Sequence, residues 1–123
     1  MVDRVLIVED EPALLSLLER YLTRAGFAAD GVSDAARALA LTASQPDAHT
    51  LAVIDLTLPG PGGEELLSRL RAASPGLPAV LISGSPYTVT GTDGLTLFLQ
   101  KPFLPQKLVD SIRSLLGTAY GTI

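Results

Sequence analysis

Residues 51–60 place one carboxylate at the end of a short apolar run. Residues 51–54 are continuously apolar, which is typical of a strand buried on both faces, and Pro59 and Gly60 interrupt the run. Asp55 is therefore predicted to lie at the carboxyl end of a strand. In open parallel α/β sheets, ligands bind in the crevice outside these strand ends. A lone acid at such a place would more often cap a turn, so its role depends on what the other strand ends carry.

Strand and helix patterns alternate along the chain. The predicted strands are residues 4–8, 27–32, 51–54, 79–82 and 95–100, and the predicted helices are residues 12–25, 35–43, 64–73 and 105–116. Ser33 or Asp34 is expected to cap the second helix, and Gly117 to end the last one. The alternation predicts an α/β fold with one doubly wound, five-stranded parallel sheet.

Length and composition limit the classes of function. The 123 residues, 47% of them hydrophobic, fit a single domain over residues 1–123, with residues 118–123 expected to form a loose tail. The net charge of −4 argues against direct nucleic-acid binding, and the absence of cysteine excludes disulfides and thiolate sites. The first apolar run is too short for a signal peptide, and nowhere do about 18 apolar residues follow one another. We therefore expect a soluble domain.

Polar residues follow the other strands at the same edge of the predicted sheet. Glu9 and Asp10 follow the first strand, Ser83 the fourth and Lys101 the fifth. Three carboxylates so close together repel one another unless a cation lies between them, and Mg²⁺ prefers such oxygens while keeping several waters. We therefore predict that Asp10 and Asp55 bind Mg²⁺ directly.

This constellation suits phosphoryl transfer to a carboxylate. Asp55 would attack phosphorus as a nucleophile, as carboxylates do in aspartyl-phosphate chemistry. Lys101 would place a positive charge on the phosphoryl oxygens, and the Ser83 hydroxyl would donate a hydrogen bond to them.

The residues around these positions resemble the receiver domains of two-component response regulators over nearly the whole chain. The matching segments are Val5-Leu-Ile-Val-Glu9-Asp10-Glu-Pro12, Val53-Ile-Asp55-Leu-Thr-Leu-Pro59-Gly60, Leu81-Ile-Ser83-Gly84 and Phe98-Leu-Gln-Lys101-Pro102-Phe103. Each segment alone is modest support, but four of them in the family's order are specific. The resemblance implies a flavodoxin-like (CheY-like) three-layer sandwich.

The resemblance also implies a phosphorelay function. Asp55 would accept a phosphoryl group from a histidine kinase or a histidine phosphotransfer domain, and the domain would catalyse only its own phosphorylation and dephosphorylation. Mg²⁺ would lie among Asp55, Asp10, the Thr57 backbone carbonyl and Glu9, the last acting through water. Ser83 and the aromatic Phe98 would form the conformational switch, with Phe98 favouring a buried position. The 101–102 peptide bond is expected to be cis, as is usual in the family.

Three features depart from the family's pattern. Glu9 replaces the commoner aspartate of the acidic pair, a variation that should leave metal binding intact. Residues 61–63 replace a common Met-Asp-Gly, so the loop after Asp55 loses an acid. Residues 85–95 are short and rich in glycine, threonine and proline, so the family's fourth helix is expected to be reduced or missing. The reduction of this helix puts the family's usual output surface in doubt. The short connection over residues 85–95 resembles that of receivers in hybrid histidine kinases. We expect a monomeric domain in the cytoplasm, either free or as the cytoplasmic part of a membrane-bound kinase.

Two other functions stay open. The chain could be a receiver-shaped interaction domain that takes no phosphate. It could also be a phosphatase with Asp55 as nucleophile, although Thr57 stands where such phosphatases place a second aspartate. His49 is expected in an exposed loop without a ligand role, and Tyr87 in a surface loop or a partner contact.

Overall fold

The computed structural model describes residues 2–89 and 94–119. The strands are β1 (Arg4–Val8), β2 (Ala28–Val32), β3 (Leu51–Asp55), β4 (Ala79–Ser83) and β5 (Thr96–Gln100). The helices in the described residues are α1 (Pro12–Arg24), α2 (Ala35–Ser44), α3 (Gly62–Ala73) and α4 (Pro105–Ala119). Of the two predicted caps for α2, Asp34 is the one used, because its carboxylate accepts the Arg37 N–H at 2.7 Å.

All five strands lie parallel in one sheet with the order β2-β1-β3-β4-β5. The chain winds to one edge and then crosses back to the other, so the predicted doubly wound topology is confirmed. Val8 pairs with Ile54, and Asp55 pairs with Ile82. The residues that follow β1, β3 and β4 therefore meet at one edge of the sheet.

Helices cover both faces of the sheet. Helices α1 and α4 pack with one set of buried strand side chains, and α2 and α3 pack with the alternate set. Every residue of β3 and β4 is buried, and so are the last four residues of β1. These strands appear in the sequence as continuous apolar runs because side chains on either face enter a core.

The end of α4 differs from the prediction. The helix continues past Gly117 through Ala119, so residues 118–119 are helical rather than part of a loose tail. A glycine within a helix costs only about 1 kcal/mol relative to alanine, which by itself does not end a helix. The rest of the predicted tail, residues 120–123, lies outside the described residues.

The connection between β4 and β5 contains no helix in its described residues, which are 84–89 and 94–95. Residues 90–93 of the same predicted loop lie outside the described part of the chain. In the part of the chain that the structure describes, four helices around five strands agree with the expectation that the family's fourth helix is reduced or missing. Within the described ranges, no helix is both long enough and apolar enough to cross a membrane.

Candidate functional site

Three carboxylates meet where β1 and β3 end. Glu9 and Asp10 follow β1, Asp55 is the last residue of β3, and one oxygen of each lies within 4.8 Å of the others. Glu9 is fully buried and Asp55 is only 1% exposed, whereas Asp10 is exposed. The structure therefore brings together the three carboxylates of the predicted magnesium site.

Lys101 follows β5 and reaches across β4 to this cluster. Its Nζ lies 2.8 Å from Glu9 Oε1 and 3.1 Å from Asp55 Oδ2. The contact with Asp55 is a hydrogen bond, whereas that with Glu9 is a close ion pair without hydrogen-bond geometry. The Lys101 backbone N–H donates to the Ser83 carbonyl oxygen at 2.7 Å, and the Lys101–Pro102 peptide bond is cis, as expected.

Local hydrogen bonds fix the other oxygen of each buried carboxylate. The Glu11 N–H donates to Glu9 Oε2 at 3.0 Å. Thr57 donates twice to Asp55 Oδ1, from its N–H at 2.8 Å and from its hydroxyl at 2.7 Å. Asp55 thus does cap the following turn, as a lone acid would, while its second oxygen faces Lys101. The hydroxyl contact was not predicted from the sequence, which pointed only to the Thr57 carbonyl.

Burial and charge act against each other on the pKa values of this cluster. Burial raises the pKa of Glu9 above its usual range, by more than Lys101 and the Glu11 N–H lower it. Burial also acts to raise the pKa of Asp55, but the Thr57 hydrogen bonds and the Lys101 ammonium hold it below its usual value. Burial would lower the pKa of Lys101, yet the two carboxylates raise it. Asp55 is thus kept ionised, as a nucleophile or a metal ligand must be.

The start of α3 approaches Asp55 closely because residue 63 is a glycine. A Cβ added to Gly63 would lie 2.5 Å from the Asp55 carbonyl oxygen and 2.8 Å from the Leu56 Cα. Both distances are shorter than real contacts of a Cβ, and both atoms belong to the backbone. Glycine at this position lets the first turn of α3 pack directly on the end of β3.

The two predicted switch residues lie on neighbouring strands. Ser83 ends β4 with only 3% exposure, and its Oγ accepts the Ser85 N–H at 3.1 Å. Phe98 lies in β5, half-buried on the sheet face that α3 covers. Its ring packs against Tyr87, with ring centroids 5.6 Å apart and planes tilted by 50°. Tyr87 therefore lies in the loop after β4, as predicted, with its ring half-buried against Phe98.

The prediction that His49 lies in an exposed loop is wrong. Its side chain is 5% exposed, and its Nε2 lies 2.8 Å from Asp30 Oδ2. Arg4 binds the same Asp30 carboxylate at 2.9 Å. His49 and Arg4 are 19 and 26 residues from Asp30 in sequence, so no local pattern indicates these contacts.

Comparisons with known proteins agree with this geometry. Residues 5–113 match the sequence pattern of the response regulator receiver domain. The chain belongs to this family. It is 34% identical over 124 residues to the transcriptional regulatory protein TctD of Salmonella typhimurium, covering 98% of this chain and 54% of TctD. The receiver domain thus spans about half the length of that relative.

Solved structures share the receiver fold. The response regulator receiver protein of Sinorhizobium medicae is 29% identical with a TM-score of 0.86, and the match covers 96% of this chain and 97% of that one. The receiver domain of the hybrid histidine kinase CckA is 28% identical with a TM-score of 0.79, over 91% and 98% of the two chains. The receiver domain described here is therefore a module of two-component signalling.

The acidic cluster of this receiver domain could hold a metal ion. Three carboxylate oxygens converge, and Lys101 supplies one positive charge against them. Hard divalent cations bind such oxygens, and Asp10 is open to the solvent from which an ion and its waters would arrive. The donor set thus fits a hard cation.

Proposed function

We propose that this receiver domain takes a phosphoryl group onto Asp55, with Mg²⁺, from the phosphohistidine of a histidine kinase or a histidine phosphotransfer domain. The observation that carries the proposal is the state of the Asp55 carboxylate. It is buried and kept ionised, with one oxygen fixed by Thr57 and the other 3.1 Å from the Lys101 ammonium.

Each residue of the site has its own role in the phosphoryl transfer. A carboxylate oxygen of Asp55 forms the new bond to phosphorus, the bond from phosphorus to the imidazole nitrogen breaks, and the donor histidine keeps that electron pair and takes up a proton. Lys101 places its charge on the phosphoryl oxygens, and the Ser83 hydroxyl donates a hydrogen bond to them. Glu9, Asp10, Asp55 and the Thr57 carbonyl would hold Mg²⁺, with Glu9 acting through water, and the bound ion would neutralise part of the phosphoryl charge.

The surface beside the site suits a protein donor. An open cavity of about 310 Å³ lies next to Lys101, and apolar side chains of α1 and of the segment after β5 line much of it. Leu17, which lines this cavity, is 42% exposed. Leu104, in the segment after β5, is 77% exposed. Exposed apolar residues around a polar centre are typical of protein contact surfaces. A small-molecule phosphatase substrate would not need them.

We propose that the domain binds no nucleic acid itself, since its net charge is −4, even though its relative TctD is a transcriptional regulatory protein. Identities of 34% to TctD and 28% to the CckA receiver do not separate a regulator from a hybrid kinase. The hybrid-kinase assignment therefore stays a prediction, as does a monomeric state.

The proposal is tested by incubating the protein with Mg²⁺ and acetyl phosphate and measuring its intact mass. We expect one phosphoryl adduct that is stable in acid and labile in base. Asp55→Asn should abolish it, and the exposed control Asp110→Asn should retain it. A wild-type protein that takes no phosphoryl group would instead favour the receiver-shaped interaction domain. Repeated turnover of a phosphomonoester would favour the phosphatase.

A further inference from the structure

A cavity of about 340 Å³ lies between α2 and α3, on the face of the sheet that these helices cover. Its lining includes Leu6 of β1, Ala52 of β3 and Leu70 of α3, all of them buried, together with residues 45–49, which lead from α2 into β3. The cavity therefore lies toward the edge of the sheet where the strands begin, whereas Asp55 ends β3. Pockets for small ligands measure about 300–1,000 Å³ and are mostly apolar. This cavity has the size and the lining of such a pocket.

The buried side chain of His49 is part of this lining. Its ring is only 5% exposed, and Asp30 Oδ2 lies 2.8 Å from its Nε2. The other ring nitrogen, Nδ1, is buried and has no hydrogen-bond partner in the part of the chain that the structure describes. A buried polar atom without a hydrogen bond lowers stability, so a molecule that supplies the missing bond gains affinity from it. Because Asp30 takes the Nε2 side of the ring, the Nδ1 side is the one left for an occupant of the cavity.

The contact with Asp30 decides which kind of partner Nδ1 needs. Burial acts to raise the pKa of Asp30, but the hydrogen bonds from His49 and Arg4 hold it below its usual value, so the carboxylate is ionised. An ionised carboxylate only accepts hydrogen bonds, so Nε2 carries the proton that it donates to Asp30. In the neutral ring, Nδ1 then has a lone pair and no proton. It therefore needs a partner with an O–H or N–H donor.

The charged residues of the lining do not favour a charged ligand. Arg69 is exposed and already pairs with Glu65 at 3.2 Å, and Asp47, also in the lining, is exposed and would repel an anion. A charged group that moved inward would leave water for the apolar side chains of Leu6 and Leu70, which is unfavourable without a partner of opposite charge. The ligand that fits is therefore uncharged.

We propose that the cavity between α2 and α3 binds an uncharged, largely apolar small molecule whose O–H or N–H group donates a hydrogen bond to His49 Nδ1. This site is separate from the acidic cluster at the other end of β3. The inference does not rest on phosphoryl transfer to Asp55.

A cavity that is only a gap in the packing predicts something different. Such a gap takes up apolar molecules of the right size whether or not they carry a hydrogen-bond donor. Indole and benzofuran separate the two possibilities because they have nearly the same bicyclic shape. Indole carries an N–H donor, whereas benzofuran has in its place an oxygen that can only accept.

The test is titration of the ¹⁵N-labelled protein with indole and, separately, with benzofuran, followed by NMR of the backbone amides and of the histidine ring nitrogens. We expect indole to bind with a Kd on the order of 1 mM or tighter. Its affinity should exceed that of benzofuran by about five- to tenfold, the effect of one net hydrogen bond. The chain contains a single histidine, so its ring signals need no further assignment. The Nδ1 signal should move more with indole than with benzofuran.

Matched variants locate the binding in the cavity. Ala73→Leu adds a larger side chain at an exposed position of the lining and should weaken both probes by more than about tenfold. Ala72→Leu makes the same change at the preceding exposed residue of α3, outside this lining, and should keep both affinities within about twofold of wild type. His49→Phe removes the acceptor, so indole should lose its advantage over benzofuran. Ala73→Leu keeps the test decisive if His49→Phe does not fold.

Three results would each overturn the inference. The first is the absence of saturable amide shifts around the cavity up to about 10 mM indole. The second is equal affinity of the wild-type protein for indole and benzofuran, which would make the cavity a gap in the packing. The third is unchanged indole binding in Ala73→Leu, which would place the probe elsewhere. Asp55→Asn should bind indole as the wild type does, so this outcome and that of the acetyl phosphate experiment are independent.

Discussion

Two clusters of charged side chains lie on the same sheet, and they have opposite ratios of acidic to basic groups. Where β1 and β3 end, the carboxylates of Glu9, Asp10 and Asp55 meet, and Lys101 forms ion pairs with two of them, Glu9 and Asp55. On the α2 side of the sheet, the single carboxylate of Asp30 has two basic partners, Arg4 at 2.9 Å and His49 at 2.8 Å. One cluster has an excess of acids, and the other has more basic groups than acids.

The difference shows in which cluster the protein's own basic groups compensate the charge of the carboxylates. The hydrogen bonds from His49 and Arg4 overcome the effect of burial and lower the pKa of Asp30, so this carboxylate is fully compensated within the fold. Burial instead raises the pKa of Glu9 despite the contact with Lys101. Carboxylates that the protein leaves undercompensated are a place for a further cation. The Asp30 cluster is therefore expected to contribute to stability, and we propose that the Asp55 cluster binds a further cation.

Removing Lys101 should give the largest effect. Lys101→Ala leaves the buried carboxylates of Glu9 and Asp55 without their shared cation, and we expect a loss of about 2–4 kcal/mol in the free energy of unfolding at neutral pH. Urea denaturation measures it, and excess Mg²⁺ should restore part of the loss. Lys107→Ala, at an exposed position of α4, should change stability by less than about 0.5 kcal/mol. Equal losses in the two variants would show that the acid cluster needs no cation.

Magnesium should stabilise the native protein through the same cluster. At ten times its dissociation constant, an ion that binds only the folded state adds about 1.4 kcal/mol, seen as a rise in Tm. Asp10→Asn should abolish this rise, because it removes an exposed ligand without disturbing the core. Glu11→Gln, an exposed acid one residue further on, should keep it. A rise that survives in Asp10→Asn would place the ion elsewhere.

The Asp30 cluster should affect how the free energy of unfolding depends on pH. Because the pKa of Asp30 is lower in the folded state, its contacts stabilise the protein above the unfolded pKa of about 3.9 and are lost as the pH falls through the folded value. Asp30→Asn should cost about 1 kcal/mol at pH 7 and flatten the stability curve below about pH 4. Asp110→Asn should leave the curve unchanged. If the free energy of unfolding falls as steeply with decreasing pH in Asp30→Asn as in wild type, Asp30 does not cause the loss of stability in acid.

Much of the fold could be predicted because each strand and helix has a local signal. Continuous apolar runs predicted β1, β3 and β4, and the acids and Lys101 that follow strands predicted the candidate site. The end of α4 was missed because Gly117 is a weak stop signal, while the helix continues through Ala119.

Contacts across long sequence separations could not be predicted. The contacts of His49 with Asp30 and of Tyr87 with Phe98 depend on which side chains of different elements face each other, and spacing along the chain carries no such information. The Thr57 hydroxyl contact is local, however. A threonine two residues after an acid at a strand end is a signal that could have indicated it.

The claim that Asp55 is the phosphoryl acceptor is tested most directly by mapping the adduct. After incubation with acetyl phosphate and Mg²⁺, borohydride reduction converts an aspartyl phosphate to homoserine, which peptide mass spectrometry locates. We predict homoserine at position 55, only when Mg²⁺ is present during phosphorylation, and none in Asp55→Asn. Reduction at Glu9 or Asp10, or no reduced residue at all, would contradict it.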